Sequence, residues 1–186
     1  MEHLGELRTR IVRSLIALLV GLVVTFPLSQ RIVDWLAQPI QATGNTLVFL
    51  AVTEAFWVQM KVALLTGLFL AAPAILWQVW AFLAPAMDAA TQRVISVFVV
   101  IATALFAVGV AFAYFIILPA AIEFLTNFDD SLYDIQIRAS YYLTFTAMVL
   151  LATGIAFEMP IFILALVRIG VLSSARLRRN RRLGIV

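Results

Sequence analysis

Residues 142–167, with the sequence YLTFTAMVLLATGIAFEMPIFILALV, form an apolar stretch that contains one carboxylate, Glu158. At 1.5 Å per residue such a helix is about 39 Å long, which is enough to cross a bilayer with some tilt. Glu158 is therefore predicted to lie at membrane depth, where an ionisable group is costly and by default functional. A structural role, in which a neutral carboxyl group holds two helices together, is an equal alternative. Pro160 removes a backbone donor nearby, so we expect a bend and a shaped cavity.

The composition places the whole chain in a membrane. Of its 186 residues 64% are hydrophobic and 12% are charged, whereas soluble proteins are roughly 45–50% apolar. The chain has no cysteine and one histidine, His3, so we expect no thiol chemistry, no metal site and no cofactor. We also expect no enzyme, because the spans contain no histidine to act as a base beside a nucleophile.

Hydropathy predicts an all-α, polytopic membrane helix bundle with four transmembrane helices and interfacial amphipathic helices. The spans are predicted at about residues 11–28, 60–83, 94–118 and 142–167. They form a single domain, residues 1–186, that stops before a fifth span. The first span has no small-x-small cleavage site and should stay in the membrane. Residues 1–13 are predicted to be an amphipathic lead-in that continues into it.

The stretch between the first two spans contains two weaker signals. Apolar residues recur through 32–40, which predicts a short amphipathic helix that rests on the bilayer and has Pro39 near its end. Residues 47–52 are apolar but too short to cross, so we expect them to pack into the outer surface of the bundle. Thr53 and Glu54 indicate the start of the next helix.

Three further predictions concern charge and packing. Lys61 lies about one turn inside the membrane boundary, where its long stem can reach outward; pairing with Glu54 or another carboxylate is the alternative. Gly109 and Ala113 are four residues apart, a pattern that lets a neighbouring helix approach closely. Residues 119–140 are predicted to be the second outer connection.

The distribution of charge predicts the topology. Basic residues gather in 1–13 and in 176–182, both beside spans, whereas the 119–140 connection is acidic. The positive-inside rule therefore places both termini in the cytoplasm. The arginines of 176–182 could instead bind acidic lipid or an acidic partner. Because the basic residues lie next to spans, we read them as a topology signal and expect no nucleic-acid binding.

Five separate stretches resemble signatures of the TatC family, the multi-span receptor subunits of the twin-arginine protein translocase. They cover essentially the whole chain in the expected order: His3–Arg10, Thr53–Phe56 with Lys61 beyond it, Trp77–Phe82 followed by Pro85, Ala111–Phe115 followed by Pro119, and Gly154–Pro160.

The resemblance implies a receptor in a bacterial-type inner membrane that captures folded precursors through an arginine pair in their signal peptides. It implies assembly with TatA-type and TatB-type single-span subunits, with other TatC copies and with membrane lipid, and transport driven by the proton gradient. Glu6 matches the glutamate that helps hold the arginine pair; Arg8 and Phe82 belong to matching signatures and are assigned to the same site. At Glu6, a helix-dipole role is the alternative. Glu158 matches the membrane glutamate of a concave face.

The chain departs from the family pattern in two ways. Thr91 stands where the family usually has a second acid for the arginine pair, and Asp88, three residues away, is a candidate replacement. The family has six spans, and four are predicted here. A repurposed or shortened scaffold that acts as a structural subunit is therefore the alternative function. A proton or ion pathway through Glu158 is a third hypothesis, although no second intramembrane acid or histidine forms a relay.

Overall fold

The structure, a computed structural model, describes residues 2–83, 95–128 and 136–168, and it confirms the predicted all-α bundle. Four helical stretches in these residues are long and apolar enough to cross a membrane. The helices are α1 (Glu2–Thr25), α2 (Ser29–Gln41), α3 (Glu54–Leu83), α4 (Ile95–Phe112), α5 (Leu118–Asn127) and α6 (Ala139–Arg168). A 3₁₀ turn at Phe26–Leu28 joins α1 to α2, and a π-helical turn at Ala113–Ile117 joins α4 to α5.

Helix α1 crosses α3 at two glycines. A Cβ atom added to Gly67 would lie 2.7 Å from the backbone nitrogen of Leu22, and Gly21 faces Gly67 from the other side. Small residues permit this close backbone approach, which is typical of packing between membrane helices. One turn after Gly21, the buried Thr25 hydroxyl lies 2.7 Å from the Ala63 carbonyl oxygen and donates to it across the interface.

Helix α2 forms as predicted, but its apolar face packs into the bundle core. Leu36 and Ile40 are 3% and 1% exposed. Pro39 has no N–H, so it leaves the Trp35 carbonyl without its partner within the helix. The Tyr114 hydroxyl donates to that carbonyl at 2.8 Å, and the two rings stack with centroids 3.9 Å apart. The proline thus exposes an acceptor that ties α2 to the bundle.

The helical path of the third span continues beyond Pro119. This proline lies in the first turn of α5, directly after a π-helical turn in which the Leu118 N–H donates to the Ala113 carbonyl, five residues back. In this π-helical turn the backbone hydrogen bonds span five residues, whereas those of an α-helix span four. The wider turn allows α4 to continue into α5 at the proline. The helix continues to Asn127, so the first part of the predicted second connection, from Pro119, is helical.

The predicted close approach at Gly109 is confirmed. A Cβ atom there would lie 2.8 Å from Cγ of Phe157 on α6, and Ala113, four residues later, is fully buried. On the opposite helix, Gly154 faces Phe106 at a similar distance. Small residues on both helices therefore allow α4 and α6 to pack closely.

The segment between α2 and α3 and the segment between α5 and α6 meet at one end of the bundle, which we call the connection end. Strands β1 (Leu47–Val48) and β2 (Ile137–Arg138) pair in parallel. Leu47 packs against the core as expected, but Phe49, Leu50 and Val52 are exposed, so the prediction that residues 47–52 pack into the surface is only partly right.

Glu54, which begins α3 as predicted, connects these segments. Its buried carboxylate accepts hydrogen bonds from the Leu50 N–H at 2.9 Å, Arg138 Nε at 2.9 Å and the Ser140 N–H at 3.2 Å. The bond to Glu54 raises the pKa of the Arg138 guanidinium. Glu54 therefore pairs with Arg138, and the alternative in which it pairs with Lys61 is wrong.

We expect Gly67→Ala to destabilise the protein by about 1–3 kcal/mol, because the new methyl group meets the α1 backbone, which cannot move aside as a side chain can. The measurement is the thermal unfolding midpoint in detergent. Gly5→Ala is the control, since a Cβ atom at Gly5 has no atom within 4 Å. Equal midpoints for the two variants would show that the crossing tolerates separation.

Candidate functional site

The first candidate site lies at the end of the bundle opposite the connection end, which we call the terminal end. Here the first turns of α1 run beside the last turns of α3. Glu6 accepts a hydrogen bond from Arg10 Nε at 3.1 Å, one turn along α1. The Glu6 side chain is 34% exposed. An i,i+4 ion pair on a helix surface is worth about 0.3–0.5 kcal/mol. Since both partners are partly exposed, Arg10 at 20% and Glu6 at 34%, another cation can replace Arg10.

A groove of about 280 Å³ runs between α1 and α3 beside this ion pair. Most of its lining is apolar, and Arg10, Ser14 and Gln78 add polar groups. Its lining residues are Leu7, Arg10, Ile11, Ser14, Leu15, Leu18, Ile75, Gln78, Val79 and Phe82. Arg10 contacts Glu6 and also lines the groove, as Phe82 does. Glu6 therefore lies beside the groove that contains Phe82.

The other predicted residues of this site are placed differently. Arg8 is exposed and is not among the groove-lining residues. Asp88 and Thr91 lie outside the described residues. Arg10, Ser14 and Gln78 were not predicted as site residues from the sequence. The spacing of four between Glu6 and Arg10 was the available signal, since residues four apart are neighbours on a helix.

The second candidate site is Glu158, in the second half of α6. It is 3% exposed, and neither carboxylate oxygen has a hydrogen-bond partner within 2–83, 95–128 and 136–168. The structural alternative, a carboxyl group that bonds two helices together, is therefore not observed in this part of the chain. A buried polar group without a partner costs about 1–3 kcal/mol.

Other buried polar atoms near this half of the bundle also lack partners in the described chain. They include Trp80 Nε1 on α3 and Thr103 Oγ1 on α4, the two long helices against which α6 packs. Trp80 is fully buried and stacks between Phe98 and Phe162, with centroid distances of 5.2 and 5.9 Å. Within residues 2–83, 95–128 and 136–168 the bundle thus has several buried polar groups without a hydrogen bond.

We expect the two buried glutamates to respond oppositely to substitution by leucine. Glu158→Leu should leave the thermal midpoint unchanged or raise it, because a carboxyl group without a partner is removed. Glu54→Leu should cost about 1–3 kcal/mol, because it removes the acceptor of three hydrogen bonds. Thermal unfolding of both variants in one detergent is the measurement. A lower midpoint for Glu158→Leu would indicate that Glu158 has a structural partner.

Comparisons with known proteins agree with this geometry. The family model of the Sec-independent protein translocase protein (TatC) matches residues 2–186. The Sec-independent protein translocase protein TatC of Desulforapulum autotrophicum is 36% identical over 188 residues, which cover 100% of this chain and 70% of that protein. The TatC of Escherichia coli strain K12 is 33% identical over 184 residues, which cover 97% of this chain and 71% of that protein.

A solved structure has the same fold. A crystal structure of the twin-arginine translocase receptor TatC in the detergent DDM matches with a TM-score of 0.88 and 34% sequence identity. The match covers 97% of this chain and 82% of that one.

Proposed function

The chain belongs to the TatC family of Sec-independent protein translocase proteins, and we propose that it is the receptor that binds the signal peptides of folded precursors through their arginine pair. The observation that carries this proposal is the accessible Glu6 carboxylate beside the apolar groove between α1 and α3. A signal peptide presents the complementary features in the same order, a basic segment followed by an apolar helix.

The binding step is an exchange of guanidinium groups. An arginine of the peptide displaces Arg10 from Glu6 and forms two parallel charge-assisted hydrogen bonds, which a lysine cannot reproduce with the same geometry. The apolar segment of the peptide then enters the groove and contacts Phe82. Arg8, exposed on the same helix, can donate hydrogen bonds to peptide carbonyl groups. Asp88 is a candidate second acid, because Thr91 offers no charge.

The same proposal assigns Glu158 to contacts within the membrane. A partner helix with a hydrogen-bond donor would satisfy its carboxyl group. Candidate partners are TatA-type and TatB-type single-span subunits and other copies of this chain. We further propose that the protein lies in a bacterial-type inner membrane with both termini in the cytoplasm, supported by its arginine distribution, and that the proton gradient drives transport without a cofactor.

We expect Glu6→Ala to weaken binding of a fluorescent Arg-Arg signal peptide by about 10- to 100-fold, because a hydrogen-bonded charge pair contributes about 1.5–3 kcal/mol. Wild-type protein in nanodiscs should prefer Arg-Arg over Lys-Lys, and Glu6→Ala should lose that preference. Arg10→Ala should strengthen binding by about twofold, since it frees Glu6 from a weak pair. Fluorescence anisotropy measures all three affinities.

Glu123→Ala is the matched control, because Glu123 is an exposed glutamate on α5, near the opposite end of the bundle. It should bind the peptide as the wild type does. Equal binding of Arg-Arg and Lys-Lys peptides by folded wild-type protein would contradict the receptor proposal. That result would favour the structural-subunit alternative, whose partners native co-purification would identify.

A further inference from the structure

Lys61 is the only lysine of the chain and lies on the surface of α3, two turns after the helix begins at Glu54. Helix α3 has 30 residues and is therefore about 45 Å long, whereas the hydrocarbon core is about 30 Å thick. The Cα atom of Lys61 lies seven residues after Glu54, about 10 Å along the axis. Its side chain is exposed. The ammonium group can therefore reach the level of lipid phosphates at the connection end.

A groove of about 270 Å³ begins at Lys61 and runs between α3 and α6. Apart from Lys61 and Thr144 its lining is apolar: Val62, Leu64, Leu65 and Leu68 from α3, and Leu143, Ala147, Met148 and Leu151 from α6. Leu64 and Met148 are 47% and 67% exposed, so the groove opens toward lipid. Its polar groups gather at one end and its apolar length continues toward the membrane centre.

Lys61, at the mouth of this groove, forms no ion pair with any of the described residues. Lys61 Nζ lies 3.5 Å from the Thr144 hydroxyl. The ion pairs of the described residues join Glu6 to Arg10 and Glu54 to Arg138. Glu54, the acid of α3, already accepts three hydrogen bonds. The Thr144 hydroxyl in turn donates to the Ser140 carbonyl at 2.7 Å. An ammonium group with free donors favours an anion.

We propose that this groove binds one acidic phospholipid of the leaflet at the connection end. The phosphodiester accepts hydrogen bonds from the Lys61 ammonium group, and one acyl chain lies along the apolar lining between α3 and α6. A phospholipid matches both features, since it carries its anionic group at the boundary and its apolar chain toward the centre. A soluble anion matches the charge alone. The proposal is independent of signal-peptide binding.

The test is native mass spectrometry of the full chain, released from detergent after titration with phosphatidylglycerol or phosphatidylcholine. Wild-type protein should retain one phosphatidylglycerol more tightly than phosphatidylcholine. Lys61→Met, which keeps the stem and removes the charge, should lower phosphatidylglycerol retention by about fivefold, the contribution of one basic residue at a membrane surface. Ala147→Phe, which fills the groove and keeps the charge, should lower retention of both lipids.

Arg31→Gln is the matched control, because it removes an exposed positive charge from α2 near the same end of the bundle. It should retain phosphatidylglycerol as the wild type does. An equal loss in Arg31→Gln and Lys61→Met would show non-specific attraction to charge and overturn the proposal. So would unchanged retention in Lys61→Met, or competition by glycerol phosphate as effective as that by phosphatidylglycerol, which would indicate a soluble-anion site.

Discussion

The crossing of Gly21 and Gly67 is the contact on which the candidate peptide site depends. Glu6 lies 15 residues before Gly21, and Phe82 lies 15 residues after Gly67. Because α1 and α3 run antiparallel, the crossing brings these two residues to the same level, about 22 Å along both helices. Membrane helices gain little from burying apolar surface against one another, so close backbone packing must hold the pair. A shift of the crossing by one turn would separate the carboxylate from the groove.

The glutamates at the two ends of the bundle differ in burial and in their hydrogen-bond partners. At the connection end Glu54 is buried and saturated by Arg138 and two backbone N–H groups, so it fixes the two connections to each other. At the terminal end Glu6 is partly exposed and holds only a neighbour on its own helix. A buried carboxylate whose hydrogen bonds are all made is costly to disturb, whereas a partly exposed i,i+4 pair on one helix exchanges more easily. Rigidity at one end and exchange at the other suit a scaffold that presents a binding site.

Hydropathy and small-residue spacing predicted the bundle and the Gly109 contact, because lipid exposure imposes apolar composition over whole spans. The same reasoning could not place α2, since the Tyr114 hydroxyl that binds the Trp35 carbonyl lies 79 residues away in sequence. The partner of Glu54 was missed for the same reason: Arg138 is distant along the chain, whereas Lys61 is near. For the candidate site, Glu158 was predicted from its place inside an apolar span, whereas the roles of Glu6 and Phe82 were implied by the family resemblance. Arg10 could have been predicted from helix geometry, because it lies four residues after Glu6 and so next to it on the helix surface.

Glu158 carries the energetic argument for partners in the membrane. Its carboxyl group is buried without a hydrogen bond in the described chain, and Trp80 Nε1 and Thr103 Oγ1 are also unsatisfied there. Leucine at position 158 would fill similar space without this cost, so packing of the described bundle gives no reason for an acid. A partner helix that donates a hydrogen bond gains more in hydrocarbon than in water, because no solvent competes. Under the proposed function, a partner helix that donates a hydrogen bond to Glu158 would therefore stabilise the assembled complex.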